Sequence, residues 1–170
     1  MKLWASALTL FLLGVRGLAA PADTNFFPIM AWNWAPNDPV VLNNMRACGL
    51  TIAGFVAPGT LDACRAAGLK AIVSDARTSD YDWANVDEPK ARIRVASLVA
   101  DVGNHPALFG YYLRDEPSTT MFPGLAKVAS LVRELAPGKW PYLGIQLTPP
   151  TATGSVLTCD GRLPQEPDGI

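Results

Sequence analysis

The stretch His105 to Pro117, HPALFGYYLRDEP, decides the fold. His105-Pro106 breaks an amphipathic helix. Leu108 to Leu113 (LFGYYL) then reads as a short apolar strand, too brief and too aromatic for another helix. Arg114-Asp115-Glu116-Pro117 ends it with charge and a proline. Helix, short buried strand and abrupt polar stop form the repeating unit of a parallel sheet covered by helices.

The same unit recurs on both sides. Upstream, Glu88-Pro89 opens a helix that runs to about Val102, with Ile93, Leu98 and Val102 expected toward the core. Before it lies a long polar loop, Asp75 to Asp87, and long polar loops in compact domains often carry function. Lys70 to Ser74 is a strand, Thr60 to Ala67 a short helix closed by Gly68, and Thr51 to Val56 another strand. Asp38 caps a helix that has Pro39 at its first position, an apolar side of Val41, Leu42, Met45 and Cys48, and Gly49 at its end. Phe26 to Trp32 is the first strand. Downstream, Thr120 to Leu135 is a helix stopped by Pro137-Gly138, and Pro141 to Leu147 is a fifth strand.

Five strands and four helices are therefore expected, each strand placed beside the previous one by right-handed crossovers. Two architectures fit: a partial (β/α)8 TIM-type barrel and an open parallel α/β sheet. No Gly-rich phosphate loop follows the first strand, which favours the barrel. Eight units need roughly 200 residues or more, so the barrel is expected to be incomplete. Residues 21–147 form this domain. Residues 148–170, rich in Pro, Gly and Thr, read as an irregular or truncated tail.

Composition narrows the function classes. The chain has 170 residues, 49% hydrophobic and 17% charged, with a net charge of −1. That is the profile of a globular domain, and with scattered Lys and Arg it argues against a nucleic-acid partner. Residues 1–20 read as a secretory signal peptide, with Lys2 as the positive end, an apolar run from Leu3 to Val15, and small residues Gly17, Ala19 and Ala20. A secreted or extracytoplasmic protein, with no stable membrane insertion after cleavage, is the expectation. Export permits disulfides, but three cysteines, Cys48, Cys64 and Cys159, leave an odd count. Cys48 and Cys64 either bridge consecutive helices or serve as small buried residues; the second reading is preferred.

In a barrel, side chains at the C-terminal strand ends line the active mouth, which gives Asp115 and Glu116 their interest. The phrase HPALFGYYLRDEP resembles the fourth-strand region of the retaining barrel glycosidases of the β-galactosidase and cellulase superfamily. In that superfamily an acid/base glutamate follows an asparagine, often as Asn-Glu-Pro; here the triplet is Asp115-Glu116-Pro117. The resemblance implies that Glu116 is the acid/base and that Asp115 stands where an asparagine usually contacts a sugar hydroxyl. It extends loosely over residues 26–147 and is specific only around this strand. The bland alternative, a solvated strand end opening the next helix, is weaker once the whole phrase is read.

The resemblance further implies retaining hydrolysis of β-linked glycosides, which needs a second carboxylate about 5 Å from the first. In the family it ends strand seven, which has no counterpart here, so a catalytically incomplete glycosidase is expected. A non-catalytic carbohydrate-binding or interaction protein built on the same barrel is the alternative. Trp32, Asn33 and Trp34 end the first strand and either stack on and read a sugar or divide between core and surface. Asp75 follows the third strand and either meets a sugar hydroxyl or caps the loop, with capping preferred. Gln146 is a further candidate for substrate contact. Arg77, Tyr81, Asp82 and Trp83 are read as solvated loop residues or as one wall of a cleft. His105 lies at the opposite mouth and reads as structural, so no Ser-His-Asp triad is expected. No zinc or nucleotide motif appears, hence no metal or cofactor. Lys70 begins its strand and faces the wrong mouth for a Schiff-base lysine. The open edges of a partial barrel, with Tyr142, Leu143 and Ile145 on the last strand, predict self-association.

Overall fold

The computed structural model describes residues 26–145. The elements follow as α1 (Pro39–Ala47), β1 (Ile52–Val56), α2 (Leu61–Ala66), β2 (Lys70–Val73), α3 (Ala76–Ser79), α4 (Glu88–Val102), β3 (Leu108–Asp115), α5 (Phe122–Leu135) and β4 (Trp140–Gly144). The four strands form one sheet in the order β1-β2-β3-β4, every pair parallel. Each strand lies beside the one before it, the order expected of successive right-handed crossovers. A partial TIM-type barrel and an open parallel sheet both accommodate this arrangement. The signal segment, Cys159, Gln146 and the proposed tail lie outside the described residues.

Local chemistry explains the helix starts. Asp38 accepts from the Val40 and Val41 amides, and Asp87 accepts from the Lys90 amide, so each satisfies donors that the first helical turn leaves open. Pro39 and Pro89 follow in the first turn, where a missing N–H costs nothing. α4 buries Ala91, Val95 and Leu98, with Val102 half-buried on the same stripe. Ile93 is 71% exposed, contrary to expectation. It sits two residues from both Ala91 and Val95, about 200° around the helix from either, so it faces water when they face the sheet.

The expected first strand is reduced to a single parallel bridge, Met30 to Ile52. Pro28 has no N–H to give, and the Ile29 amide turns to the Thr51 hydroxyl at 2.8 Å instead of a neighbouring carbonyl. The chain then bends, with the Asn33 amide on the Ala31 carbonyl, before the Ala35 amide reaches Gly54. Gly54 permits this close crossing: a Cβ there would lie 2.9 Å from the Asn33 carbonyl oxygen.

The expected loop after the third strand holds a one-turn helix, α3. Asp75 caps it through the Arg77 amide at 2.8 Å and pairs with the Arg77 guanidinium at 2.9 Å. Arg77 also bridges to Asp101 at the end of α4, and Arg94 donates to the Ala76 and Asp80 carbonyls at 2.5 and 2.7 Å. The Thr78 hydroxyl, fully buried, lies 3.1 Å from the Tyr112 carbonyl of β3. Trp83 is 4% exposed and belongs to the core, neither solvated nor part of a cleft.

The two faces of the sheet differ. One packs Ala53, Val56, Ala71, Val73, Tyr111 and Leu113 against the helices in the main core. The other carries Ile52, Phe55 and Ile72 with the half-buried Phe109, Tyr112 and Tyr142, and no helix among the described residues packs on it. Cys64 is buried in the main core, where desolvation pushes its thiol up to about 11. Cys48 is exposed and the two are not bridged to each other, so the buried reading holds for Cys64 alone.

Candidate functional site

At the C-terminal ends of the strands, Phe55 is the centre of an aromatic cluster. Its ring centroid lies 4.8 Å from that of Tyr112, 5.1 Å from Trp32, 5.6 Å from Trp34 and 5.9 Å from Tyr142. These separations and the tilted or edge-on angles are those that aromatic quadrupoles favour. Phe55 is buried, while Trp32 and Trp34 are 53% and 61% exposed, so about half of each indole is open to solvent beside a buried ring. β1 loses its register between Ala53 and Val56, and Phe55 there has φ +52°. Left-handed backbone is costly for a bulky side chain and persists where packing over-determines it.

The carboxylates stand beside this cluster. Asp115, the last residue of β3, is partly buried, and its charge reaches both Tyr112 and Tyr142. Both phenols are raised above their ordinary value, chiefly by burial and then by that charge. Glu116 is exposed, and its amide donates to the Gly144 carbonyl at 3.0 Å. Its φ is +45°, although it precedes Pro117 and is not glycine. Both circumstances disfavour that conformation, which makes Glu116 the second strained residue of this mouth.

Gly144 ends β4 next to both. A Cβ built on it would lie 2.5 Å from Asp115 Oδ1 and would strike the outer edge of the Trp32 indole. The carboxylate and the indole edge thus close over a residue that has no side chain.

The expected site residues separate. Trp32, Trp34, Asp115 and Glu116 come together at one mouth. Asn33 lies between the indoles, exposed, with its side-chain oxygen taken by the Trp34 amide at 2.9 Å. Asp75 caps α3 as preferred, and Arg77 holds its carboxyl below the ordinary carboxylate value. Phe55, Tyr142 and Gly144 were not singled out as site residues. Tyr112 alternates with the buried Tyr111 and Leu113 in a strand already recognised, a signal that could have found it, whereas Phe55 shares its face with Ile52 three residues away, and the irregularity in β1 hides it from simple alternation.

The opposite ends of the strands hold satisfied groups. The Ala107 amide donates to His105 Nδ1 at 3.1 Å, which leaves the proton on Nε2, 3.2 Å from Asp62 Oδ1. Lys70 Nζ donates to the Pro106 carbonyl and Lys139 Nζ to the Leu108 carbonyl, each at 2.8 Å. His105 and Lys70 thus serve the fold. Among the described residues no group of three or more His, Cys, Asp or Glu is placed to hold a metal, and no helix is long and apolar enough to cross a membrane.

No protein-family model matches the chain, and no curated protein does. Among solved structures it is similar to a β-glucuronidase of Parabacteroides merdae, with 15% identity and a TM-score of 0.45 over 62% of this chain and 16% of that one. It is similar to a plant β-glucan endohydrolase, with 16% identity and a TM-score of 0.44 over 64% of this chain and 37% of that one. A β-glucuronidase of glycoside hydrolase family 2 aligns at 11% identity and a TM-score of 0.44, over 71% of this chain and 14% of that one. The chain therefore spans well under half the length of these proteins.

Proposed function

We propose that this chain is a glycoside hydrolase-like, carbohydrate-binding α/β domain of an exported protein. The observation that carries the reading is the grouping of two exposed indoles, two half-buried phenols and the Asp115–Glu116 pair at one end of a parallel sheet. Aromatic faces stack on sugar rings, and carboxylates accept from ring hydroxyls, so this combination suits a polyol ring better than a nucleotide or an acyl chain. The resemblance around His105–Pro117 supports a β-linked glycoside as ligand and a proton-handling role for one carboxylate of the pair.

Hydrolysis is proposed to be incomplete. Retention needs a second carboxylate about 5 Å from the first, across the sugar. Among the described residues Asp75 also follows a strand, but it is engaged by Arg77 at 2.9 Å and caps α3. The test is calorimetric titration of the purified protein with cello- and laminari-oligosaccharides, beside a hydrolysis assay on aryl β-glycosides. Binding without turnover is expected. Turnover would refute the incompleteness, and absence of any binding would refute the carbohydrate cleft.

A further inference from the structure

β3 outruns β2. The last pairing of β2 is Val73 with Tyr111, and from Tyr112 onward β3 pairs with β4 alone among the described strands. At that level β3 carries an extra residue: Tyr112 to Arg114 spans two steps where Tyr142 to Leu143 spans one. Such a bulge re-aims the side chains around it and needs something to fix its direction. We infer that α3 is the positioning element of the aromatic cleft, and that Thr78 is the positioning residue through which α3 fixes the Tyr112 ring. The inference rests on the carbohydrate reading and deepens it by naming what sets the shape of the cleft.

Thr78 is fully buried, so its hydroxyl needs a partner inside the protein. Two carbonyl oxygens lie within reach, that of Asp75 at 3.2 Å and that of Tyr112 at 3.1 Å. A hydroxyl has one hydrogen to donate. The Asp75 carbonyl already accepts from the Thr78 amide at 3.0 Å, the Ser79 amide at 3.1 Å and the Ser79 hydroxyl at 2.9 Å. The Thr78 hydrogen therefore goes to the Tyr112 carbonyl, where the bulge begins. A single helical turn cannot hold such a position by itself, because helix nucleation is unfavourable. The hold comes from α4. Arg94 donates to the Ala76 and Asp80 carbonyls, at the two ends of α3, and lies 4.4 Å over the Tyr81 ring. Arg77 ties Asp75 to Ser97 and Asp101 of α4. The connection thus runs from α4 through α3 to the main chain of Tyr112. The ring of that residue has its centroid 4.8 Å from that of Phe55 and 6.0 Å from that of Trp34 in the cleft.

Two variants at residue 78 separate the hydroxyl from the volume it fills. Thr78→Val keeps the shape and removes the donor, while Thr78→Ser keeps the donor. Thr78→Val should alter the near-ultraviolet circular dichroism of the clustered rings and weaken cellotetraose binding about fivefold or more, the scale of one lost hydrogen bond. Thr78→Ser should restore both. The spectral change should vanish in a Tyr112→Leu background, because the connection runs through that ring. A merely structural role would lower stability and leave the spectrum and affinity of the folded molecules as they are. Wild-type spectrum and affinity in folded Thr78→Val overturn the inference. So does a serine variant that behaves like the valine one, or a spectral change that survives Tyr112→Leu. If Thr78→Val does not fold, Arg94→Lys takes its place, keeping the charge but losing the fork that reaches both carbonyls. It should give the same spectral change in smaller size, and a wild-type spectrum there overturns the inference equally. A wild type with no affinity for sugar sinks the carbohydrate reading, and the spectral comparison then decides the positioning by itself.

Discussion

Tyr111 and Tyr112 are adjacent in β3 and occupy opposite faces of the sheet, and their surroundings differ in kind. Tyr111 is fully buried under the helices with a hydroxyl that has no hydrogen-bond partner among the described residues. Burial alone pushes that phenol up to about 12. Tyr112 is half-buried among Phe55, Trp34 and the Asp115 charge. The helix-covered face is made for exclusion: aliphatic, closed, and tolerant of one stranded hydroxyl. The open face is made of rings and polar tips, with its strained residues at one end. Phe109, Tyr112 and Tyr142 are only half-buried there, so their side chains are available to something else.

That contrast can be broken by cavity mutations. Leu98→Ala, under the helix layer, should cost about 3 kcal/mol, whereas Phe109→Ala on the open face should cost about 1 kcal/mol. Urea unfolding of both variants measures it. Equal costs would mean that the open face is covered in solution. Light scattering would then show whether a second copy covers it, through the β4 edge where Trp140 and Ile145 are 53% and 59% exposed.

Asp75 links the two faces, because α3 leans on the Tyr112 carbonyl through Thr78. Arg77 holds the Asp75 carboxyl below the ordinary 3.8. Its ionised form is thus favoured in the folded state. The stability it contributes is present above pH 3.8 and is lost as pH falls through the lower folded value. Asp75→Asn should lower stability at pH 7 by about 1–2 kcal/mol and flatten the acid limb, in denaturant midpoints taken between pH 2 and 7. An unchanged acid limb would show that the pair is solvated and idle.

The smallest effect sharpens the comparison most. Tyr111→Phe removes a buried hydroxyl that has no described partner, so the variant should be neutral to about 1 kcal/mol more stable. A loss of that size in the thermal melt would reveal a partner for the hydroxyl.

Much of the fold was legible because it rests on local patterns. Asp38-Pro39 and Glu88-Pro89 announce helices through capping and proline chemistry, and the apolar runs at Thr51–Val56, Lys70–Ser74 and Leu108–Leu113 announce buried strands. The failures have the same cause in reverse. Pro28 and Gly54 let the 26–32 segment cross close to β1 without pairing as a strand, and that depends on the partner, not on its own composition. α3 spans only one turn, too short for periodicity to show, and only the Asp75 cap hints at it. Ile93 looked like a core residue because it is apolar, yet the stripe through Ala91, Val95 and Leu98 turns it outward.

The site divides in the same way. The sequence by itself determined that a strand ends in Asp115-Glu116-Pro117 and that Trp32 and Trp34 lie near the end of an earlier apolar segment, because residue order and strand polarity are local. Only the tertiary structure decided that Phe55 gathers the indoles and phenols, and that the Asp115 carboxylate and the Trp32 indole edge both occupy space a side chain at residue 144 would need. Those contacts join residues from four separate stretches of chain. Their geometry depends on register shifts and on left-handed backbone at Phe55 and Glu116, which packing imposes against local preference.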